Sequence, residues 1–192
     1  QFNVEDIPAI ILNEFGIDKN ELYFRSRRDL QTKHFLDAIY LKEFIGEGDV
    51  IEFGCGVGMR VWCMNKVGLN SRGVELSQYA VDNSFIPEKV TQGDILTYDG
   101  QKGFRLSMAY DVLEHLKYED LDKGIETLIN YTNNYMLISV PVIGDPNLES
   151  DSTHIIKETK EWWIKQFTNK GLNQVEVPSH FLFKEQLMIF EK

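Results

Sequence analysis

The sequence predicts an α/β fold: a doubly wound, mostly parallel sheet in three layers, with helices on both faces. Two observations carry that expectation. From about residue 48 onward, short apolar runs alternate with helix-spaced segments, the pattern of parallel strands joined by crossover helices. The last two strand-like runs, 173–179 and 186–192, have no helix between them and so form an antiparallel pair. Size agrees: 192 residues, 43% hydrophobic and 12% aromatic, suit one core, and no repeat, low-complexity stretch or linker divides the chain.

The elements follow in order. Residues up to about 28 read as irregular, with a short helix near 7–15. Residues 29–45 set Leu30, Phe35, Leu36, Ile39, Tyr40 and Ile45 at helical spacing, with Asp29 as N-cap and Gly46 and Gly48 past the end. Residues 1–47 are therefore expected to be a helical cover on a domain spanning 48–192. DVIEF (49–53) is a buried strand, 59–67 a helix and SRGVEL (71–76) a second strand. SQYAVDNSF (77–85) is a helix capped by Ser77, and KVTQGD (89–94) and FRLSMAYD (104–111) are the third and fourth strands. A helix over 118–131 leads to the fifth strand, YMLISVP (135–141), which Pro141 stops. After the polar loop VIGDPNLES (142–150), KETKEWWIKQFTNKG (157–171) is a helix with Gly171 just past its end.

Composition narrows the chemistry. A net charge of −10 and a pI near 4.9 repel phosphate backbones, so nucleic acid is not the expected partner; RSRR (25–28) is the only dense basic run. Cys55 and Cys63 make neither a disulfide framework nor a zinc site by themselves, and read as reduced thiols of a cytoplasmic protein. No apolar run approaches the ~20 residues that span a membrane. QFNVEDIP lacks the basic region and apolar core of a signal peptide.

Residues 50–58 read VIEFGCGVG, with Gly54, Gly56 and Gly58 at alternate positions directly after a strand. A glycine turn at a strand's carboxyl end permits close backbone approach by a ligand. The dinucleotide pattern G-x-G-x-x-G fails, because Met59 stands at the third glycine position, and no Lys-Ser/Thr completes a P-loop. A nicotinamide oxidoreductase is disfavoured further by the absence of a Tyr-x-x-x-Lys pair. Acids stand at three successive strand ends: Glu52, Glu75 and Asp94. They would repel a pyrophosphate. They suit a nucleoside, with Glu75 on the ribose hydroxyls and Asp94 on the exocyclic amine of an adenine, attached to a group bearing ammonium and sulfonium charge.

With VIEFGCGVG (50–58), GVELS (73–77), QGDI (92–95), AYDVLEHL (109–116) and LISVP (137–141) in this order, the chain resembles the class I S-adenosylmethionine-dependent methyltransferases over most of its length. That resemblance implies a Rossmann-like, seven-stranded sheet whose last strand is antiparallel. It also implies S-adenosylmethionine as cofactor and S-adenosylhomocysteine as product. Glu52, Gly54, Cys55, Gly56 and Gly58 would hold the methionine part. Glu75 and Leu76 would hold the ribose, and Gly93, Asp94 and Ile95 the adenine. Tyr110 and Asp111 would lie beside the methyl group.

The expected acceptor is a small molecule, a sugar or other metabolite hydroxyl or an amine. YDVLEHL resembles the segment after the fourth strand in small-molecule O-methyltransferases. There His115 is a candidate general base, with Glu114 orienting it, unless the motif only shapes the pocket floor. DSTHIIKETKEWW (151–163) resembles the stretch that forms a substrate wall in methyltransferases of glycan and small-metabolite pathways, which makes His154 a candidate substrate contact. The alternative is that Asp151 and His154 merely order a loop. Asp111, Glu114, His115 and His154 are also loosely similar to the metal ligands of small-RNA 2′-O-methyltransferases. Those carry a denser histidine cluster downstream, and the sequence reading assigns no metal. A non-catalytic cofactor- or partner-binding domain of the same fold is the remaining rival, opposed by the intact glycines and acids. Tyr23, Arg25 and Arg28, ahead of the first long helix, are candidate contacts for a cofactor carboxylate or an anionic acceptor.

Overall fold

A computed structural model describes residues 28–181 and 186–192. The expected short helix at 7–15, together with Tyr23 and Arg25, lies outside them. Helix α1 (Arg28–Ile45) leads into β1 (Asp49–Phe53), α2 (Met59–Lys66), β2 (Asn70–Glu75), α3 (Gln78–Asp82), β3 (Val90–Gln92) and β4 (Phe104–Tyr110). Then come α4 (Tyr118–Tyr131), β5 (Thr132–Ser139), α5 (Pro146–Ser150), α6 (Lys160–Thr168), β6 (Asn173–Val175) and β7 (Leu187–Glu191).

The seven strands form one sheet in the order β3-β2-β1-β4-β5-β7-β6. The first five pair in parallel, and β7 is antiparallel to both β5 and β6. Strand order reverses between β1 and β4, and the carboxyl ends of those two strands open the crevice where such sheets bind ligands.

Side chains alternate across the sheet, so each strand feeds two cores. Val50, Leu106, Met108, Leu137 and Ile189 pack toward α1 and α2 with Phe35, Leu41, Val61 and Met64. Ile51, Phe53, Ala109, Ile138 and Phe190 face the opposite way, toward Leu121, Ile125, Leu128 and Tyr131 of α4 and Trp163 and Phe167 of α6. The three expected layers result.

Several boundaries differ from the sequence expectation. Asp29 lies within α1 instead of capping it. The Thr159 side chain accepts the Trp162 N–H, which starts α6 at Lys160, three residues inside the expected range. The polar loop after β5 contains a helix, α5, which Asp145 caps by accepting the Asn147 N–H at 2.8 Å. Ser77 caps α3 as expected. Among the described residues, no helix is long and apolar enough to cross a membrane.

Candidate functional site

The glycine turn hangs on the neighbouring strand: the N–H groups of Gly54 and Cys55 both donate to Val74 O, at 2.8 and 3.3 Å. Gly54 (φ 72°) must be glycine twice over, for its left-handed backbone and because a Cβ would collide with the Val112 side chain. Gly56 (φ 56°) differs, since a Cβ there would meet nothing within 4 Å. Its exposed face is free for a ligand.

Beside the turn lies a cleft of ≈ 320 Å³ lined by Phe53, Gly54, Val74, Glu75, Leu76, Gly93, Asp94, Ile95, Asp111, Val112, His115 and Leu116. The structure thus brings together seven of the residues expected around the cofactor, and adds His115. Glu75 is held by backbone donors, with Gly56 N–H on Oε2 at 2.7 Å and Ser77 N–H on Oε1 at 2.9 Å. One donor per oxygen leaves each oxygen a lone pair, enough for two further hydroxyl donors. Asp94 Oδ1 accepts the Leu96 N–H at 2.8 Å, which leaves Oδ2 as an acceptor.

Five residues expected to touch the cofactor, Glu52, Cys55, Gly56, Gly58 and Tyr110, do not line this cleft. Gly58 is the N-cap of α2, and a Cβ there would press on Val90. Cys55 is buried beneath β2, where its sulfur occupies the space a Cβ on Gly73 would need. Burial raises both thiols, Cys55 and Cys63, well above their ordinary value, so neither is a nucleophile. Glu52 is fully buried and paired with Arg60, whose guanidinium also stacks 3.6 Å from the centroid of the Tyr110 ring. The sequence reading missed Arg60. An arginine at the second position of a helix carries no signal that it will fold back onto the preceding strand.

The opposite wall is built after β4 and β5. Asp111 ends β4 at φ 52°, an uncommon conformation for a non-glycine residue, fixed by donation of its N–H to Ser139 O at 2.9 Å. The crowded wall raises its carboxyl by desolvation, against the pull of Arg60, His154 and His115. A 3₁₀ turn over Leu113–His115 follows. The Glu114 carbonyl accepts N–H bonds from Ile155 at 2.8 Å and Ile156 at 2.9 Å, stitching the loop after β5 to this turn. That stitch brings residues 39 positions apart together: the His115 and His154 rings stand 4.8 Å apart, edge to face.

Glu114 is 0% exposed, neither carboxyl oxygen has a hydrogen-bond partner, and burial pushes its pKa up to about 8. His115 is oriented by a short chain in which Thr153 Oγ1 donates to Asp151 Oδ1 at 2.6 Å and stands 3.0 Å from His115 Nδ1. Thr153, too, went unnoticed in the sequence.

No protein-family model and no curated protein matches the chain. Solved structures do match its fold. A SAM-dependent methyltransferase from Archaeoglobus fulgidus superposes with a TM-score of 0.69 at 18% identity, covering 95% of this chain and 98% of that one. Magnesium protoporphyrin IX methyltransferase from Synechocystis PCC 6803, with bound S-adenosylhomocysteine, gives 0.64 at 13% identity, covering 95% and 94%. A small RNA methyltransferase gives 0.63 at 15% identity, covering 81% of this chain and 24% of that one. The fold is the one these S-adenosylmethionine-dependent methyltransferases share.

Proposed function

We propose that the chain is an S-adenosylmethionine-dependent methyltransferase that modifies an oxygen or nitrogen of a small-molecule acceptor. The observation that carries this reading is Glu75, each of whose oxygens holds one backbone N–H and keeps one lone pair, at the rim of a cleft shared with Asp94 and His115. Two hydroxyl donors fit those lone pairs, and an amine donor fits Asp94.

The bound cofactor would supply a methyl group already activated on a sulfonium. The chain's task is then position and proton management, and positioning alone is worth up to ~7–11 kcal/mol in favourable cases. The acceptor would stand against the wall formed by Asp111, His115 and His154. His115 faces a hydroxyl acceptor there, its orientation set by the Asp151–Thr153 chain; an amine acceptor needs only a free lone pair. The acidic net charge of −10 favours a small molecule over RNA.

Calorimetric titration with S-adenosylmethionine and S-adenosylhomocysteine tests the reading. Micromolar binding is expected, weakened at least tenfold in Gly56→Val and Glu75→Ala. Well-folded wild-type protein that binds neither compound would overturn it.

A further inference from the structure

We propose that Glu114, Asp151 and His154 cradle an ammonium group of the methyl acceptor, which makes the acceptor an amino alcohol such as an amino sugar. That the bound amine is the acceptor rests on the methyltransferase reading; the cradle itself does not.

Proton placement decides what these groups want. His154 Nδ1 lies 3.1 Å from the Leu148 carbonyl oxygen, and a carbonyl only accepts, so Nδ1 carries the proton. The Nε2 lone pair is therefore left facing Glu114 Oε1 at 4.0 Å and Asp151 Oδ2 at 3.9 Å. Both gaps are too long for a direct hydrogen bond. Asp151 Oδ1 is already taken, by the Thr153 N–H at 2.8 Å and the Thr153 hydroxyl at 2.6 Å, which leaves Oδ2 as the oxygen turned to His154. The Glu114 carboxyl is fully buried, with no hydrogen-bond partner on either oxygen. Three acceptor groups thus converge, and their neighbours supply none of them with a donor.

An ammonium brings what is missing: positive charge and several N–H donors on one atom. Acceptors about 2.8 Å from a single ammonium nitrogen stand roughly 4.0–4.6 Å apart, so the spacing here needs little adjustment. Burial by itself favours a proton on Glu114, and a cation beside it restores the carboxylate. Asp111, near enough to His115 and His154 to feel both, adds negative charge on the same side. A hydroxyl brings one donor and no charge, and would leave the buried acid unpaired.

Held as an ammonium, the nitrogen has no lone pair to give, so it anchors the acceptor and a different atom takes the methyl group. His115 stands next to the cradle, with a ring nitrogen within 4.8 Å of the Glu114 and His154 ligand atoms, and it also lines the cleft. Its Nδ1 faces the Thr153 carbonyl oxygen at 3.2 Å and carries the proton, so Nε2 is open to a hydroxyl. A hydroxyl at His115 and an ammonium in the cradle belong on neighbouring carbons of one small molecule.

The test uses the full chain with chelator present throughout. Glucosamine and trans-2-aminocyclohexanol are titrated against their neutral counterparts, glucose and trans-1,2-cyclohexanediol, while the histidine ring signals are followed by nuclear magnetic resonance. Both amines are expected to shift the His154 signals and to bind at least tenfold more tightly than the neutral pair. That preference should vanish in Glu114→Gln and in His154→Gln. Folded wild type that binds amine and neutral compound equally, or binds neither amine, overturns the proposal, as does a preference kept in either folded variant. S-adenosylhomocysteine is titrated in parallel, and the amines are titrated with and without it. Amine binding in protein that never binds S-adenosylhomocysteine would sink the methyltransferase reading and leave the cradle standing.

Discussion

The two walls of the cleft are made differently. On the side of β1, β2 and β3, the acids that face the cleft are met by backbone donors: Glu75 by Gly56 and Ser77, Asp94 by Leu96. On the side of β4 and β5, Asp111 sits at a left-handed φ of 52° and the Glu114 carboxyl is buried without a hydrogen-bond partner. The cleft-facing acids of the first wall are each anchored as folded. The second stores unmet demand at a place where a ligand would relieve it, and unmet demand in a stable fold marks function more sharply than satisfied polarity does.

Apolar substitution gives the largest contrast. Glu114→Leu removes an orphaned acid and is expected to stabilise the fold by about 2 kcal/mol. Glu75→Leu strands two N–H groups and is expected to cost about 2 kcal/mol. Urea unfolding measures both, and destabilisation by Glu114→Leu would erase the distinction between the walls.

A smaller effect probes the layer behind the first wall. Burial, with Arg60 and Lys33 close by, holds the His34 imidazole well below its ordinary value. Its contribution to stability is therefore complete above pH ~6.5 and is lost as the pH falls below that value. Between pH 7.5 and 5.5 the loss is about 1.4 kcal/mol. His34→Gln should flatten that slope in thermal melts, and bound S-adenosylhomocysteine should leave it unchanged, because His34 lies outside both walls.

The smallest effect tests the backbone. Asp111→Gly relieves ~1–2 kcal/mol of left-handed strain but adds chain entropy, for a net gain of about 0.5 kcal/mol. Turnover should fall even as the melting temperature rises. A loss of stability would mean that the Asp111 side chain supports the wall instead of straining it.

The first wall was largely legible in the sequence, because its residues sit at the ends of runs that announce themselves as strands: VIEF before the glycines, RGVEL, QGDI. The parallel part of the sheet followed from the alternation of strand and helix, and the antiparallel closing pair from the lack of a helix between the last two runs. The second wall was legible only as residue types. His115 and His154 stood out, but their meeting depends on two N–H bonds to the Glu114 carbonyl, and no periodicity encodes a contact across 39 positions. Helix α5, five residues long and capped by Asp145, is too short for a hydrophobic period to register. The pairing of Glu52 with Arg60 was hidden because an acid within a strand and an arginine in the following helix carry no mark of partnership, and only the fold encloses Glu52 completely.

The Glu114 carbonyl, which takes both the Ile155 and Ile156 N–H groups, has a consequence for anyone who would exchange one acceptor for another. The loop after β5 is not an independent cassette. Transplanted alone from a relative, it would arrive without the turn that its backbone is sewn to, and His154 would lose its place. A workable chimera has to carry residues 111–116 and 142–158 together, as a single heritable unit.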